Sequence, residues 1–206
     1  MLRRWTAAFG ATVVAVVVLT GCSSPQTPAG PSTVQRGIAD SRCTNTGTEL
    51  VKLPSSNSEE PTLALPKPPG WTFSTADNSP SVRGTMSDPG LKAHDYVPSF
   101  VVSLADVTGD ASTPQQALDT ERAGFAQKVG AIQTDTPGTV CGYPGKTITY
   151  TFEGRQGTTL MVAAKDRHNK IWIAKVSTQT TEPDNPDFMK AKQVILGGFQ
   201  FSLPAV

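Results

Sequence analysis

Residues 147–177 read TITYTFEGRQGTTLMVAAKDRHNKIWIAKVS, and this stretch decides the fold. Three runs within it, around Thr147 to Phe152, Thr158 to Ala164 and Ile171 to Ser177, are rich in β-branched and apolar residues. Between them lie the turn clusters Gly154-Arg155-Gln156-Gly157 and Asp166-Arg167-His168-Asn169. Strands joined by such short connections run antiparallel, so the segment is an antiparallel meander.

Working outward, Ser99-Phe100-Val101-Val102-Ser103-Leu104 is a further strand that stops at the turn Thr108-Gly109-Asp110. Leu50 to Leu53 and Thr62 to Leu65 are short extended runs, the second ended by Pro66. Lys67-Pro68-Pro69-Gly70 forces a turn and sets Trp71 and Phe73 two residues apart, on one face of the next extended run. Two helices interrupt the strands. Thr113 is an N-cap, Pro114 takes the first helical position, Gln116 completes a capping box and Gly130 closes the helix, with Leu118, Phe125 and Val129 on its apolar stripe. The second starts at Asp184 or Asn185 with Pro186 first, turns Phe188, Ala191 and Ile195 inward and stops at Gly197-Gly198, ahead of a last strand over Phe199 to Leu203. Runs of strands with helices set apart predict an α+β fold, a twisted antiparallel sheet flanked by helices.

The chain has 206 residues, 18 Lys+Arg against 17 Asp+Glu, and 37% hydrophobic residues, enough for one ordinary domain. Its charge is balanced and no basic run of five occurs, so nucleic acid is not an expected partner. With 17 Pro and 18 Gly it falls well short of low-complexity composition.

The start carries an address. Arg3 and Arg4 precede an apolar run from Trp5 through Leu19, too short to span a bilayer, which ends in Leu19-Thr20-Gly21-Cys22. That ending resembles the bacterial lipobox, which implies that residues 1–21 are a lipoprotein signal peptide and that Cys22 is diacylated. Two acyl chains give stable anchoring. Ser23 to about Asp40 is rich in Ser, Pro, Thr and Gln and nearly free of aliphatic residues, so residues 22–40 are read as a flexible tether. Residues 41–206 form the domain. Cys43 and Cys141 remain as a single pair in an exported chain and are expected to bridge.

No reaction can be read from the chain. Gly145-Lys146-Thr147 resembles the end of a phosphate-binding loop, but Val140 stands where that motif needs Gly, and Pro144-Gly145 reads instead as a turn. His94 and His168 lie in loops without a GxSxG elbow, and two histidines without CxxC spacing do not make a zinc site. Glu59-Glu60 sits in a Ser-rich loop. No catalytic, cofactor-binding or metal residue is assigned. The aromatic set Trp71, Phe73, Phe100, Phe125, Trp172, Phe188, Phe199 and Phe201 is expected in the core, with an apolar ligand cavity as the alternative.

Four segments carry a resemblance to the LpqN-type lipoproteins of mycobacteria and related actinobacteria, in particular to a proline-rich secreted antigen of that group. They are Pro61 to Trp71 (PTLALPKPPGW), Cys141-Gly142-Tyr143-Pro144 leading to Thr149-Tyr150, Gln179 to Pro186 (QTTEPDNP) and Ile195 to Gln200 (ILGGFQ). The resemblance implies a sandwich similar to Mog1 and PsbP proteins, an envelope or secreted location, and no catalytic residues to carry over. The functional expectation is a lipid-anchored, non-enzymatic binding module on the extracytoplasmic face of the cell membrane, engaging a protein or envelope component. A carrier of a lipid or other apolar ligand is the alternative. The turn-rich stretch Asp77 to Pro98, with Arg83, His94 and Tyr96, is the expected recognition loop.

Overall fold

The structure, a computed structural model, describes residues 43–204. The signal peptide, Cys22 and the tether lie outside the described residues. Ten strands and two helices follow in chain order: β1 (Leu50–Lys52), β2 (Thr62–Pro66), β3 (Thr72–Ser74), β4 (Val82–Ser87), β5 (Ser99–Asp106), α1 (Pro114–Val129), β6 (Ile132–Val140), β7 (Tyr143–Phe152), β8 (Arg155–Lys165), β9 (Ile171–Thr180), α2 (Pro186–Gly197) and β10 (Gln200–Ser202). Seven strands form one antiparallel sheet in the order β3-β4-β5-β9-β8-β7-β6, and β1-β2-β10 form a second. The α+β expectation holds, with two sheets where the sequence predicted one.

The meander is the centre of the large sheet, and both its faces are covered. Along β8 and β9, Leu160, Val162, Ala164, Trp172, Ala174 and Val176 face one core cluster, while Met161, Ala163, Ile171 and Ile173 face another. The second cluster is closed by α1 through Ala117, Leu118 and the half-buried Phe125. The first is closed by α2, through Phe188, Ala191 and Ile195, together with Leu63, Leu65 and Phe201 of the small sheet. Period-two alternation with both sides apolar is what produces the near-continuous hydrophobic run. Trp71 meets Phe100 edge-on at 5.1 Å, and Phe100 stacks on Phe188 at 6.3 Å, so Phe100 joins the sheet to α2.

The helix caps are as read. The Thr113 hydroxyl accepts from the Gln116 amide at 3.1 Å, while the Gln116 side chain reaches back to Ser112. In α2 the cap is Asn185, whose side chain accepts from the amides of Asp187 and Phe188.

Two turns are displaced from their expected positions. The β7–β8 turn is Glu153-Gly154, with both residues at positive φ, and Arg155 already pairs with Phe152. The β6–β7 turn is Cys141-Gly142 in the same geometry, which puts Pro144 and Gly145 inside β7. Two strands escaped the sequence reading. β6 is a sheet edge whose middle residues are exposed, so no burial pattern marks it. β4 lies inside the stretch expected to be a loop. Its pairing shifts at a bulge between Val82 and Gly84, and Arg83 occupies a buried position there. Gly157 sits opposite Tyr150, and a Cβ on it would lie 2.1 Å from the tyrosine ring, which covers the backbone at that point.

Cys43 and Cys141 form the expected disulfide across 98 residues of sequence. Lys146, from the failed phosphate-loop motif, pairs with Asp119 of α1 and Asp135 of β6 at 3.2 and 3.3 Å.

Candidate functional site

A cleft of about 530 Å³ opens at the end of the large sheet where β8 turns into β9. Its walls come from three places: Ser58 and Glu59 from the loop before β2, Asp166, Arg167 and His168 from the β8–β9 turn, and Leu203 and Pro204 after β10. The turn is tight because its chemistry is local. The Asp166 amide donates to the Lys170 carbonyl at 2.9 Å, the Asn169 amide to the Asp166 carbonyl at 3.1 Å, and Asn169 takes the left-handed conformation at φ 64°.

Asp166 organises this end of the sheet. One carboxylate oxygen accepts from the amides of His168 and Lys170 at 2.8 and 2.9 Å, and the other from the Trp172 indole at 3.1 Å. Burial alone would raise its pKa, but these donors outweigh burial and hold the carboxyl below its ordinary value. A depressed folded-state pKa adds stability that is present above the unfolded value, about 4, and is lost as pH falls through the folded value. Thermal melts of wild type and Asp166→Asn between pH 7 and 3 should therefore converge, with the wild type losing more stability below about pH 4.

Across the cleft, Lys170 bridges to Glu59 at 2.8 Å. This hydrogen bond lowers the Glu59 pKa and raises that of Lys170. The pair is exposed, so it links the walls without contributing much stability. Arg167 donates through Nε to His168 Nε2 at 3.0 Å, which engages the imidazole with a guanidinium instead of a hydroxyl or thiol. The cleft thus offers a guanidinium, an imidazole, a serine hydroxyl and a short apolar strip of Leu203 and Pro204. That set is suited to holding a ligand of mixed polarity.

The residues expected to form a recognition loop are not brought together as one exposed surface. Arg83 is 7% exposed and pairs with Glu60 at 2.8 Å. Its other terminal nitrogen donates to the Ser56 hydroxyl at 2.7 Å, and Glu60 accepts from the Ser56 amide at 2.8 Å. Placing Arg83 at the protein surface is therefore corrected: it is a strut behind the loop that carries Ser58 and Glu59. His94 and Tyr96 do share one hairpin. His94 and Asp95, at φ 48° and 59°, make its two-residue turn, and the Ala93 and Tyr96 backbones exchange two hydrogen bonds of 2.9 Å. The Tyr96 ring lies 4.9 Å under the Arg155 guanidinium, and burial raises its phenol pKa against the opposing charge of Arg155. Sequence reasoning passed over the cleft because Ser58, Glu59, Leu203 and Pro204 carry no motif and meet the β8–β9 turn only in three dimensions.

The aromatic set fills the core. Besides the Trp71, Phe100 and Phe188 contacts, Phe125 meets Tyr150 at 4.9 Å and Tyr143 meets Phe201 at 5.4 Å. Of the set, only Phe199 appears in any of three clefts found among the described residues, in one of about 170 Å³ beside the disulfide.

These elements define an α+β sandwich: a seven-stranded antiparallel sheet, one helix on one face, and a helix with a small sheet on the other. Among solved structures the chain is similar to LpqN, involved in cell envelope biogenesis of Mycobacterium tuberculosis, with a TM-score of 0.60 and 17% identity over 75% of this chain and 91% of that one. At that identity the likeness shows a shared fold. A structure from Bacteroides thetaiotaomicron aligns at a TM-score of 0.41 and 10% identity, over 70% of this chain and 48% of that one. A Pseudomonas aeruginosa protein of unknown function aligns at 0.38 and 18%, over 71% and 95%. No family model matches the chain, nor does any curated protein sequence.

Proposed function

We propose that the chain is a lipid-anchored cell-envelope protein that acts as a non-enzymatic binding module on the extracytoplasmic face, engaging a protein or envelope component through the cleft at Glu59, Asp166, Arg167 and His168. The observation that carries this reading is the cleft itself, built on the rigid end of a sheet packed on both faces. The lipobox ending at Cys22 supports the location. So does the shared fold with LpqN, a protein involved in cell envelope biogenesis. A carrier of an apolar ligand has less support, because the aromatic rings pack against one another in the core.

Paired denaturing and native mass spectrometry on the full chain, purified in mild detergent from an actinobacterial host, tests this reading. The expected result is a chain beginning at an acylated Cys22, with Cys43 and Cys141 oxidised and no lipid held noncovalently. A stoichiometric bound lipid would establish the carrier instead, and an unmodified Cys22 would refute the anchor.

A further inference from the structure

We infer that the outward face of α2, with the edge strand β1, docks on an anionic lipid bilayer; the inference rests on the lipid-anchor reading above. Leu50 and Met189 are the exposed large hydrophobic residues of the described chain, 43% and 48% accessible. Both sit on elements whose inner faces enter one core cluster. Phe188, Ala191 and Ile195 of α2 and Leu63, Leu65 and Phe201 of the small sheet enter the same core cluster, and Val51 packs against it. The neighbours Met189, Lys190, Leu50 and Lys52 are therefore turned away from that core.

The charge on this face suits an anionic surface. Among the described residues, Lys52, Lys190 and Lys192 have no carboxylate partner within ion-pair distance, and Lys192 lies 5.8 Å over the Phe188 ring. Lys67 at the same sheet is matched by Glu49 at 3.7 Å. The carboxylates of α2 stand at its start, Asp187 in the first turn and Asp184 just before it, leaving the rest of the helix cationic. Apolar side chains among lysines are the pattern of an interfacial surface.

Cys43 is tied to Cys141, and Cys141, Thr44, Leu196 and Gly197 line one small cleft at the C-terminal end of α2. The Phe201 amide donates to Cys141 Sγ at 3.4 Å, which locks that corner to β10. An acyl group on Cys22 would hold the domain within tether reach of a bilayer. Tethering raises the local concentration of bilayer enough for a weak surface to stay engaged.

Lysine acetylation footprinting of the full acylated chain, reconstituted in phosphatidylglycerol or phosphatidylcholine vesicles, tests the proposal. Lys190 and Lys52 should react about tenfold more slowly on phosphatidylglycerol than on phosphatidylcholine, and 0.5 M salt, which screens exposed charges over a few ångströms, should abolish the difference. Lys128, on α1 across the large sheet, should react equally on both. Equal rates at Lys190 on the two vesicles would overturn the docking face while leaving the anchor intact. The acyl mass on Cys22, read from the same sample, reports the anchor separately. Lys190→Glu lies on the exposed side of α2 and should erase the Lys52 protection; protection that persists would also overturn the proposal.

Discussion

Replacing Cys43 and Cys141 with serine should lower the stability of the domain by about 4 to 5 kcal/mol. The disulfide closes 98 residues of chain, from ahead of β1 to the β6–β7 turn, and in the loop-entropy description a loop of that size constrains the unfolded state by this amount. For a domain of this length the loss corresponds to a fall in Tm of about 8 to 20 °C. Thermal melts with and without a thiol reductant check it: the wild type should fall to the level of the double serine variant, and the variant should ignore the reductant. A wild type that melts at the same temperature in both conditions would contradict the prediction.

Arg83→Ala should be the most damaging single substitution, at about 3 to 5 kcal/mol. The side chains of Arg83 and Glu60 are 8% and 6% exposed, and removing one leaves an uncompensated buried charge. The effect should reach beyond the pair, because Ser55 and Ser56 bond to the same carboxylate and guanidinium that hold the loop before β2 in place. Urea denaturation of Arg83→Met, Glu60→Leu and the double variant measures the coupling. Each single change should be strongly destabilising and the double one much less so, since an apolar pair of similar volume avoids the desolvation of two charges. Strictly additive losses would show that the two side chains act independently.

Arg83 also shows where the sequence could not be read. A charged residue in a stretch of Ser, Pro and Gly reads as exposed, and Glu60 and Ser56, 23 and 27 residues earlier, turn it inward. These partners are invisible to any local pattern. β6 failed for the opposite reason: an edge strand of Thr, Asp, Pro and Gly has little to bury and is a strand because β7 pairs with it. The turns at Cys141-Gly142 and Glu153-Gly154 were misplaced because Pro-Gly and Gly-Arg-Gln-Gly are stronger turn signals in composition. Left-handed geometry at a cysteine and a glutamate has no such signal.

What was legible was whatever burial or capping dictates locally. The strands of the meander show in Leu160 to Ala164 and Ile171 to Val176 because both faces of β8 and β9 meet a core. Thr113, Pro114 and Gln116 mark the start of α1 through bonds that lie within a few residues. The turn Asp166 to Asn169 was placed correctly for the same reason, and it proved to be one wall of the cleft. The other walls, Ser58, Glu59, Leu203 and Pro204, could not be joined to it from sequence, since tertiary packing alone assembles them.

The most direct test of the cleft as a binding site is photo-crosslinking in intact actinobacterial cells, with a photoreactive residue at Arg167 compared with one at the exposed hairpin residue Asp95. The account predicts a discrete adduct from position 167 that is lost when Glu59→Lys is added, and none from position 95. Adducts of equal yield from both positions, or adducts from position 95 alone, would contradict it and return recognition to the His94-Tyr96 hairpin.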